Sequence, residues 1–171
     1  ANMALFITSD KNSSGTIDVN GFATTFTVTA NQIAGPYAIP YANAYIADAE
    51  SGSVVNKGIH VKVDAGQPAV VIFAHIYAGF RSEASLILPV VTLGKKYFST
   101  NYWQASTGNS KSQFEIIATE PATVVQYQLR RNGILDPTVY TATLNSPGDV
   151  LQIQDAQDLT GSVIESIASG T

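Results

Sequence analysis

The feature that most constrains this chain is a two-residue alternation of apolar and polar side chains, which recurs about every ten residues. The stretch FATTFTVTA, residues 22–30, places Phe22, Phe26 and Val28 on one face, and GIHVKV, residues 58–63, alternates in the same way. Helical periodicity is nearly absent. Because successive side chains of an extended chain point to opposite faces, these stretches are predicted to be strands with one buried face.

One stretch is apolar at nearly every position. AVVIFAHIYA, residues 69–78, therefore indicates a central strand, and turn-forming sequences such as AGPYAIP, RNG and NSPGD separate it and the other strands from one another. Many short strands with this spacing are typical of an all-β fold, a β-sandwich or jelly-roll-like pair of antiparallel sheets.

Composition narrows the class of protein. The 171 residues are 45% hydrophobic and 13% charged, with a formal net charge of -4 and no cysteine. The chain offers no basic field for nucleic acid, and disulfides and thiolate metal sites are excluded. No apolar run approaches the roughly 18 residues of a membrane-spanning helix. The start at ANMALF, without an initiator Met, is what a secreted product has after its signal peptide is removed, so an extracellular or cell-surface location is expected.

A weak internal repeat divides the chain. LFITSDKNSSGTIDV resembles FEIIATEPATVVQYQ, FTVTAN matches YTATLN, and GIHVKV matches GSVIES. The sequence therefore predicts two related units, residues 1–110 and 111–171, unless the whole of 1–171 is one domain. The strand AVVIFAHIYA follows GIHVKV in the first unit, and no counterpart follows GSVIES in the second. The second unit is thus expected to be incomplete and to pack on the first.

Three motifs that follow one another also carry a family resemblance. LPVVTLGKKYF, then FEIIATEPATVV, then DLTGS resemble, in the same order, the N-terminal domain of the IgGFc-binding protein family. The resemblance runs from about residue 52 onward and more loosely over residues 5–50. It implies an extracellular surface protein built of β-rich modules. No binding residue is carried over from the family, and neither is the immunoglobulin binding of its animal member.

The stretch SDKNSSGTID, residues 9–18, looks like the start of a calcium loop, because oxygen-bearing side chains alternate before a glycine. The twelfth position of such a loop needs a bidentate carboxylate, but here it is Gly21, and predicted strands flank the stretch instead of helices. We therefore interpret residues 10–15 as a polar β-turn. No cofactor is expected. Calcium is the one alternative, with Asp10, Asn12 and Asp18 as its candidate ligands.

No catalytic set is visible, so we do not expect an enzyme. The two histidines, His60 and His75, lie on different predicted strands; His60 is on a polar face, and His75 in the apolar strand is interpreted as a hydrogen-bonded structural residue. No serine lies in a G-x-S-x-G elbow, and no pairing of histidine with acid suggests a zinc site.

Two aromatic patches are the candidate binding residues. The first, in YAGFRSEAS, comprises Tyr77, Phe80 and Arg81 at a predicted hairpin tip. The second, in KKYFSTNYWQ, comprises Tyr97, Tyr102 and Trp103, for which packing into the sandwich core is the alternative interpretation.

Two classes of function fit these features. One is a non-enzymatic extracellular module with an adhesive, binding or structural role, whose partner is a protein or a glycan. The other is a filament or surface-layer subunit that polymerises by donor-strand complementation with copies of itself, for instance through the N-terminal segment ANMALFITS.

Overall fold

A computed structural model describes residues 2–79, 81–102 and 111–169, with the backbone alone for Arg81. Contacts group the chain into two units: unit 1 consists of residues 1–45 and 57–93, and unit 2 consists of residues 46–56 and 94–171. Each unit holds one four-stranded and one three-stranded antiparallel sheet, which confirms the predicted all-β sandwich. The boundary that the repeat predicts, between residues 110 and 111, stays a prediction.

Unit 1 is built of sheets A and B. Sheet A runs in the order β4 (Ile33–Ile39), β1 (Asn2–Thr8), β7 (Val71–Ala78), β8 (Arg81–Ile87). Sheet B runs in the order β3 (Phe22–Val28), β2 (Ser13–Val19), β6 (His60–Val63).

The core of unit 1 lies between these sheets. Leu5 and Ile7 of β1, 2% and 0% exposed, pack in one cluster with Ile17 of β2 and Phe26 of β3. Alternate residues of each strand enter this cluster, as the two-residue periodicity predicts. Burying such side chains contributes roughly 1.5–3 kcal/mol each relative to exposure.

Unit 2 is built of sheets C and D. Sheet C runs in the order β10 (Ser112–Ile117), β13 (Asp149–Asp155), β5 (Val54–Asn56). Sheet D runs in the order β12 (Ile134–Leu144), β11 (Thr123–Arg131), β14 (Val163–Ala168), β9 (Lys96–Phe98). Leu129 of β11 and Leu151 and Ile153 of β13 are buried between the two sheets.

The two units share a strand plan. In unit 1, β2 pairs with β3 and β6, and β1 pairs with β4; in unit 2, β11 pairs with β12 and β14, and β10 pairs with β13. The hairpin β2–β3 turns at Asn20-Gly21 and the hairpin β11–β12 at Asn132-Gly133, with positive φ at all four residues, as type I′ turns require. The internal repeat is thus a repeat of strand pairing.

Helices are short. Those in the described ranges are α1 (Tyr41–Ala44) and two 3₁₀ turns, Asp48–Glu50 and Val90–Thr92. Among the described residues, none of the helices has the length and apolar character needed to span a membrane.

The stretch SDKNSSGTID takes a different form from the one predicted. Only residues 9–12 form the connection after β1, and Gly15 lies inside β2, so the predicted turn over residues 10–15 is too long by three residues. A Cβ at Gly15 would lie 2.2 Å from the Lys62 carbonyl oxygen and 2.6 Å from the Phe26 ring. Glycine is required there by close packing and not by a metal-loop turn.

The N-terminal segment is also placed differently. Residues 2–8 form β1, which pairs with β4 on one side and β7 on the other, so this segment is an interior strand of its own sheet. The suggestion that it serves as the donated strand is therefore wrong. The predicted central strand is confirmed for residues 71–78, which form β7 between β1 and β8; residues 69 and 70 precede the strand.

Candidate functional site

The outer face of sheet A is the most unusual surface of unit 1. On β7, Ile72 and Ala74 pack inward, and alternation turns Phe73, His75 and Tyr77 outward. Phe73 pairs with Phe6 on one side and with Leu86 on the other. Three adjacent strands therefore present large apolar side chains on the side away from the core.

This face is open to solvent. Phe73 is 44% exposed, Tyr77 43%, Leu86 52% and Ile33 73%. The outer face of sheet B is mostly polar instead, and its outward side chains include Thr16, Asp18, Thr25, Thr27, His60 and Lys62. A contiguous apolar surface on a sandwich whose other face is polar marks an interaction site more often than chance exposure.

A shallow groove of about 380 Å³ lies on this face. We call it the sheet A groove; its lining residues are Phe6, Ile7, Thr8, Ile33, Phe73, His75 and Ala84. The His75 Nε2 atom lies 2.8 Å from Ser82 Oγ. The His75 ring centroid lies 6.4 Å from that of Phe6 and 5.1 Å from that of Tyr77, in tilted arrangements. Aromatic and aliphatic side chains therefore form most of the groove surface, and the His75 imidazole is the polar ring among them.

The described lining of the groove is mostly apolar. His75 is the one titratable side chain among its described lining residues. The described residues also contain no group of three or more His, Cys, Asp or Glu side chains placed to hold a metal. The hydrogen bond to Ser82 agrees with the structural interpretation of His75, although the ring is only partly buried.

The first predicted patch lies beside the groove. Tyr77 stands at the end of β7 next to the His75 ring. Arg81 opens β8, and only its backbone is described; Phe80 lies outside the described residues.

The second predicted patch lies in unit 2. Tyr97 is on β9 and 44% exposed, and its hydroxyl accepts a hydrogen bond of 2.7 Å from the Gly94 N–H. Tyr102 is 84% exposed, and Trp103 lies outside the described residues. The alternative interpretation, packing into the core, does not hold for Tyr97 or Tyr102.

The three candidate calcium ligands do not come together. Asp10 is exposed in the bend after β1, and Asn12 Oδ1 accepts a hydrogen bond of 2.9 Å from the Ala30 N–H. Asp18 lies near the far end of β2, roughly 20 Å from Asn12 along an extended strand. There its carboxylate is 3.3 Å from His60 Nδ1.

Sequence reasoning missed a charged cluster in unit 2. Arg131 Nε donates to Asp155 Oδ2 at 2.6 Å, and Arg131 Nη1 donates to Asp136. Hydrogen bonds from the Thr138 N–H and from Arg131 lower the pKa of Asp136. Burial raises the pKa of Asp155, but hydrogen bonds from Arg131 and the Gln157 N–H outweigh it, so the net pKa is lowered. One sequence feature could have indicated this cluster: Arg131 and Asp136 lie on either side of the Asn132-Gly133 turn.

The DLTGS motif has a structural role. Leu159 and Ser162 are both 0% exposed, and the Leu159 carbonyl accepts hydrogen bonds of 2.7 Å from both Ser162 Oγ and Ser99 Oγ. Ser112 Oγ accepts a bond of 3.0 Å from the Leu159 N–H. The motif therefore ties the ends of β9, β10 and β14 together.

Comparison with known proteins confirms the family resemblance. The family model described as IgGFc binding protein matches residues 83–169, just over half of the chain, from within β8 to the end of the described part of unit 2. This range includes all three motifs that carry the resemblance, whereas residues 52–82 and the more loosely similar residues 5–50 lie outside it. No curated protein and no solved structure matches the chain. The chain belongs to the IgGFc binding protein family.

Proposed function

We propose that this chain is a non-enzymatic extracellular or cell-surface module that binds a protein partner on the outer face of sheet A. The observation that carries the proposal is the row of outward apolar side chains across β1, β7 and β8, with Phe73 at its centre. The family description, which names the binding of a protein, agrees with this class of partner.

A protein partner fits the face better than a glycan does. Sugar recognition needs several convergent hydrogen-bonding groups beside an aromatic ring, whereas the polar side chains that line the groove are those of His75 and Thr8, among apolar walls. The hydrophobic centre of a protein interface has the chemistry seen here, with aromatic and aliphatic anchors and few charges. The partner should therefore present an apolar strand or helix face.

The test places a photo-crosslinking residue at position 73 and, as a matched control, at position 25 on the polar outer face of sheet B. Both proteins are incubated with purified immunoglobulin Fc fragment and, separately, with the secreted proteins of the organism that makes the chain. Any protein that crosslinks at position 73 is then purified and its affinity measured for the wild type and for Phe73→Thr.

We expect a discrete adduct at position 73 and none at position 25. The affinity of the purified partner should fall by about tenfold or more in Phe73→Thr, since a central aromatic anchor carries much of the binding energy. Equal labelling at both positions, or an unchanged affinity in Phe73→Thr, would remove the sheet A face as the binding surface.

A self-assembling filament or surface-layer subunit is the second candidate. What favours it is β8, whose residues 82–87 are exposed on both faces at the edge of sheet A, followed by the exposed Leu88, Val90 and Val91. An exposed apolar edge strand is a template for pairing with another chain. Light scattering over time, with negative-stain imaging, tests it; ordered polymers that vanish in Leu86→Lys support assembly, and a stable monomer contradicts it.

A further inference from the structure

The two histidines of the chain, His60 and His75, lie on surfaces of opposite character. His60 is on the polar outer face of sheet B, where its Nδ1 atom is 3.3 Å from the Asp18 carboxylate. His75 lies in the sheet A groove, and it is partly buried by the protein itself. A positive charge on the imidazole is therefore balanced by a neighbouring carboxylate at His60, but by none of the described lining residues at His75.

The strands around His75 place no described charged side chain on its face. The described outward positions near it carry uncharged side chains: Ala38 on β4, Asn2, Ala4 and Phe6 on β1, Phe73 and Tyr77 on β7, and Ser82, Ala84 and Leu86 on β8. Glu83 and Arg81 hold the alternate positions of β8, opposite inward positions of β7. The phenol of Tyr77 is titratable, but phenols are neutral between about pH 5 and pH 8. Among these described groups, the imidazole is thus the one whose charge changes near neutral pH.

The contacts of His75 hold its ring without fixing its charge. Its Nε2 atom lies 2.8 Å from Ser82 Oγ. A hydroxyl can donate to a neutral imidazole nitrogen or accept from a protonated one, so this hydrogen bond is compatible with both states. The rings of Phe6 and Tyr77, with centroids 6.4 Å and 5.1 Å away, belong to the same sheet and are present with or without a partner. What a partner would change is the access of water to the imidazole.

We propose that His75 makes binding on the outer face of sheet A depend on pH, so that an apolar partner held at neutral pH is released in mildly acidic solution. This inference rests on the proposed function, because it concerns the same face. A partner whose contact surface is apolar removes water from the imidazole and brings no opposite charge, and such burial disfavours the charged form of histidine. The complex therefore binds fewer protons than the free protein, and a fall in pH weakens binding.

The first test follows the imidazole protons of both histidines by NMR in the full chain, from about pH 8 to pH 5, which lies above the ordinary titration range of carboxyl groups. The probe is an uncharged naphthalene dye, which binds apolar surface and brings no charge of its own. With the dye at saturation, the titration midpoint of His75 should fall by about one pH unit, and that of His60 should stay unchanged. The variant His60→Gln assigns the two signals.

The second test measures the affinity of the same dye at pH 7.5 and at pH 5.5. The affinity should fall by about fivefold in the wild type and in the matched control His60→Gln, and it should change little in His75→Gln. Glutamine keeps a hydrogen-bonding side chain at position 75 but cannot take up a proton in this range. Because the NMR titration uses the unaltered chain, the proposal can be tested even if His75→Gln folds poorly.

A midpoint of His75 that the dye leaves unchanged overturns the proposal, and so does an acid dependence that is as large in His75→Gln as in the wild type. The crosslinked protein partner separates this result from the proposed function. If nothing crosslinks at position 73, the proposed function and this inference both fail. If a partner crosslinks there but loses affinity equally for wild type and His75→Gln between pH 7.5 and pH 5.5, the binding face stands and the role of His75 is overturned.

Discussion

The ring of Phe26 lies across the backbone of Gly15, so close that a Cβ on Gly15 would come within 2.6 Å of the ring and 2.2 Å of the Lys62 carbonyl oxygen. Gly15→Ala should therefore destabilise the protein by about 2 kcal/mol or more, as overpacking a buried site does. Urea denaturation measures it, with Thr25→Ala on the neighbouring strand as the control. Adding Phe26→Leu should restore only part of the loss, because the Lys62 contact is with backbone. Full recovery in the double variant would contradict this account.

Ile7 of unit 1 and Ile116 of unit 2 should contribute differently to the free energy of unfolding. Ile7 is 0% exposed and Ile116 is partly buried. Ile7→Ala should cost about 3–4 kcal/mol, and Ile116→Ala about half of that, because less apolar surface is lost and the site already borders solvent. Amide exchange of β2 and β11 reports the two units separately. Equal losses of unfolding free energy in the two variants would mean that Ile116 buries as much apolar surface as Ile7 does.

The Arg131 cluster should make stability depend on acid. Its two carboxyls have lowered pKa values in the folded state, so their stabilisation is present above the unfolded value of about 3.9 and is lost as pH falls through the folded values. The difference in unfolding free energy between wild type and Arg131→Met should therefore be large near pH 6 and shrink below about pH 4.

The exposed pair of Lys96 and Glu165 supplies the control for that experiment. Its two side chains are 56% and 47% exposed, so Lys96→Met should have little effect at any pH. A difference between wild type and Arg131→Met that stays constant from pH 6 to pH 2.5 would show that the cluster is not the source of acid sensitivity.

The outer face of sheet A should dominate the binding of hydrophobic dye. Phe73→Ser with Leu86→Ser should reduce the fluorescence of a bound anilinonaphthalene dye severalfold, since both side chains are about half exposed and their loss removes no buried contact of similar size. Val139→Ser, which changes a residue 55% exposed in unit 2, is the matched control. The same fluorescence in the double variant would place the apolar binding surface elsewhere.

Millimolar calcium should leave the unfolding temperature unchanged, because Asn12 is engaged by Ala30 and Asp18 by His60. Differential scanning fluorimetry with calcium and with chelator measures this. A rise in unfolding temperature that Asp10→Ala abolishes would restore the calcium interpretation.

Strand pairing was the part of the fold most open to prediction from the sequence. GIHVKV and GSVIES hold the same place in the strand plan, because β6 pairs with β2 as β14 pairs with β11. Alternation is a local property, so it survives differences in loop length.

The candidate site was harder to predict for a physical reason. Alternation shows that Phe73 and Tyr77 share a face with His75, but it does not show which face meets water. A strand that is apolar on both faces is ordinarily covered on both, and β7 is covered on one. The Arg131 cluster was missed because Asp155 comes from a strand 24 residues away in sequence.

The route of the chain through its two units has a consequence for inheritance. Residues 46–56 leave unit 1, supply β5 to sheet C beside β13, and return before β6 begins. No single continuous segment of the gene therefore encodes one whole unit alone. Recombination that duplicated or deleted the whole of one unit as a continuous segment would also duplicate or delete part of the other.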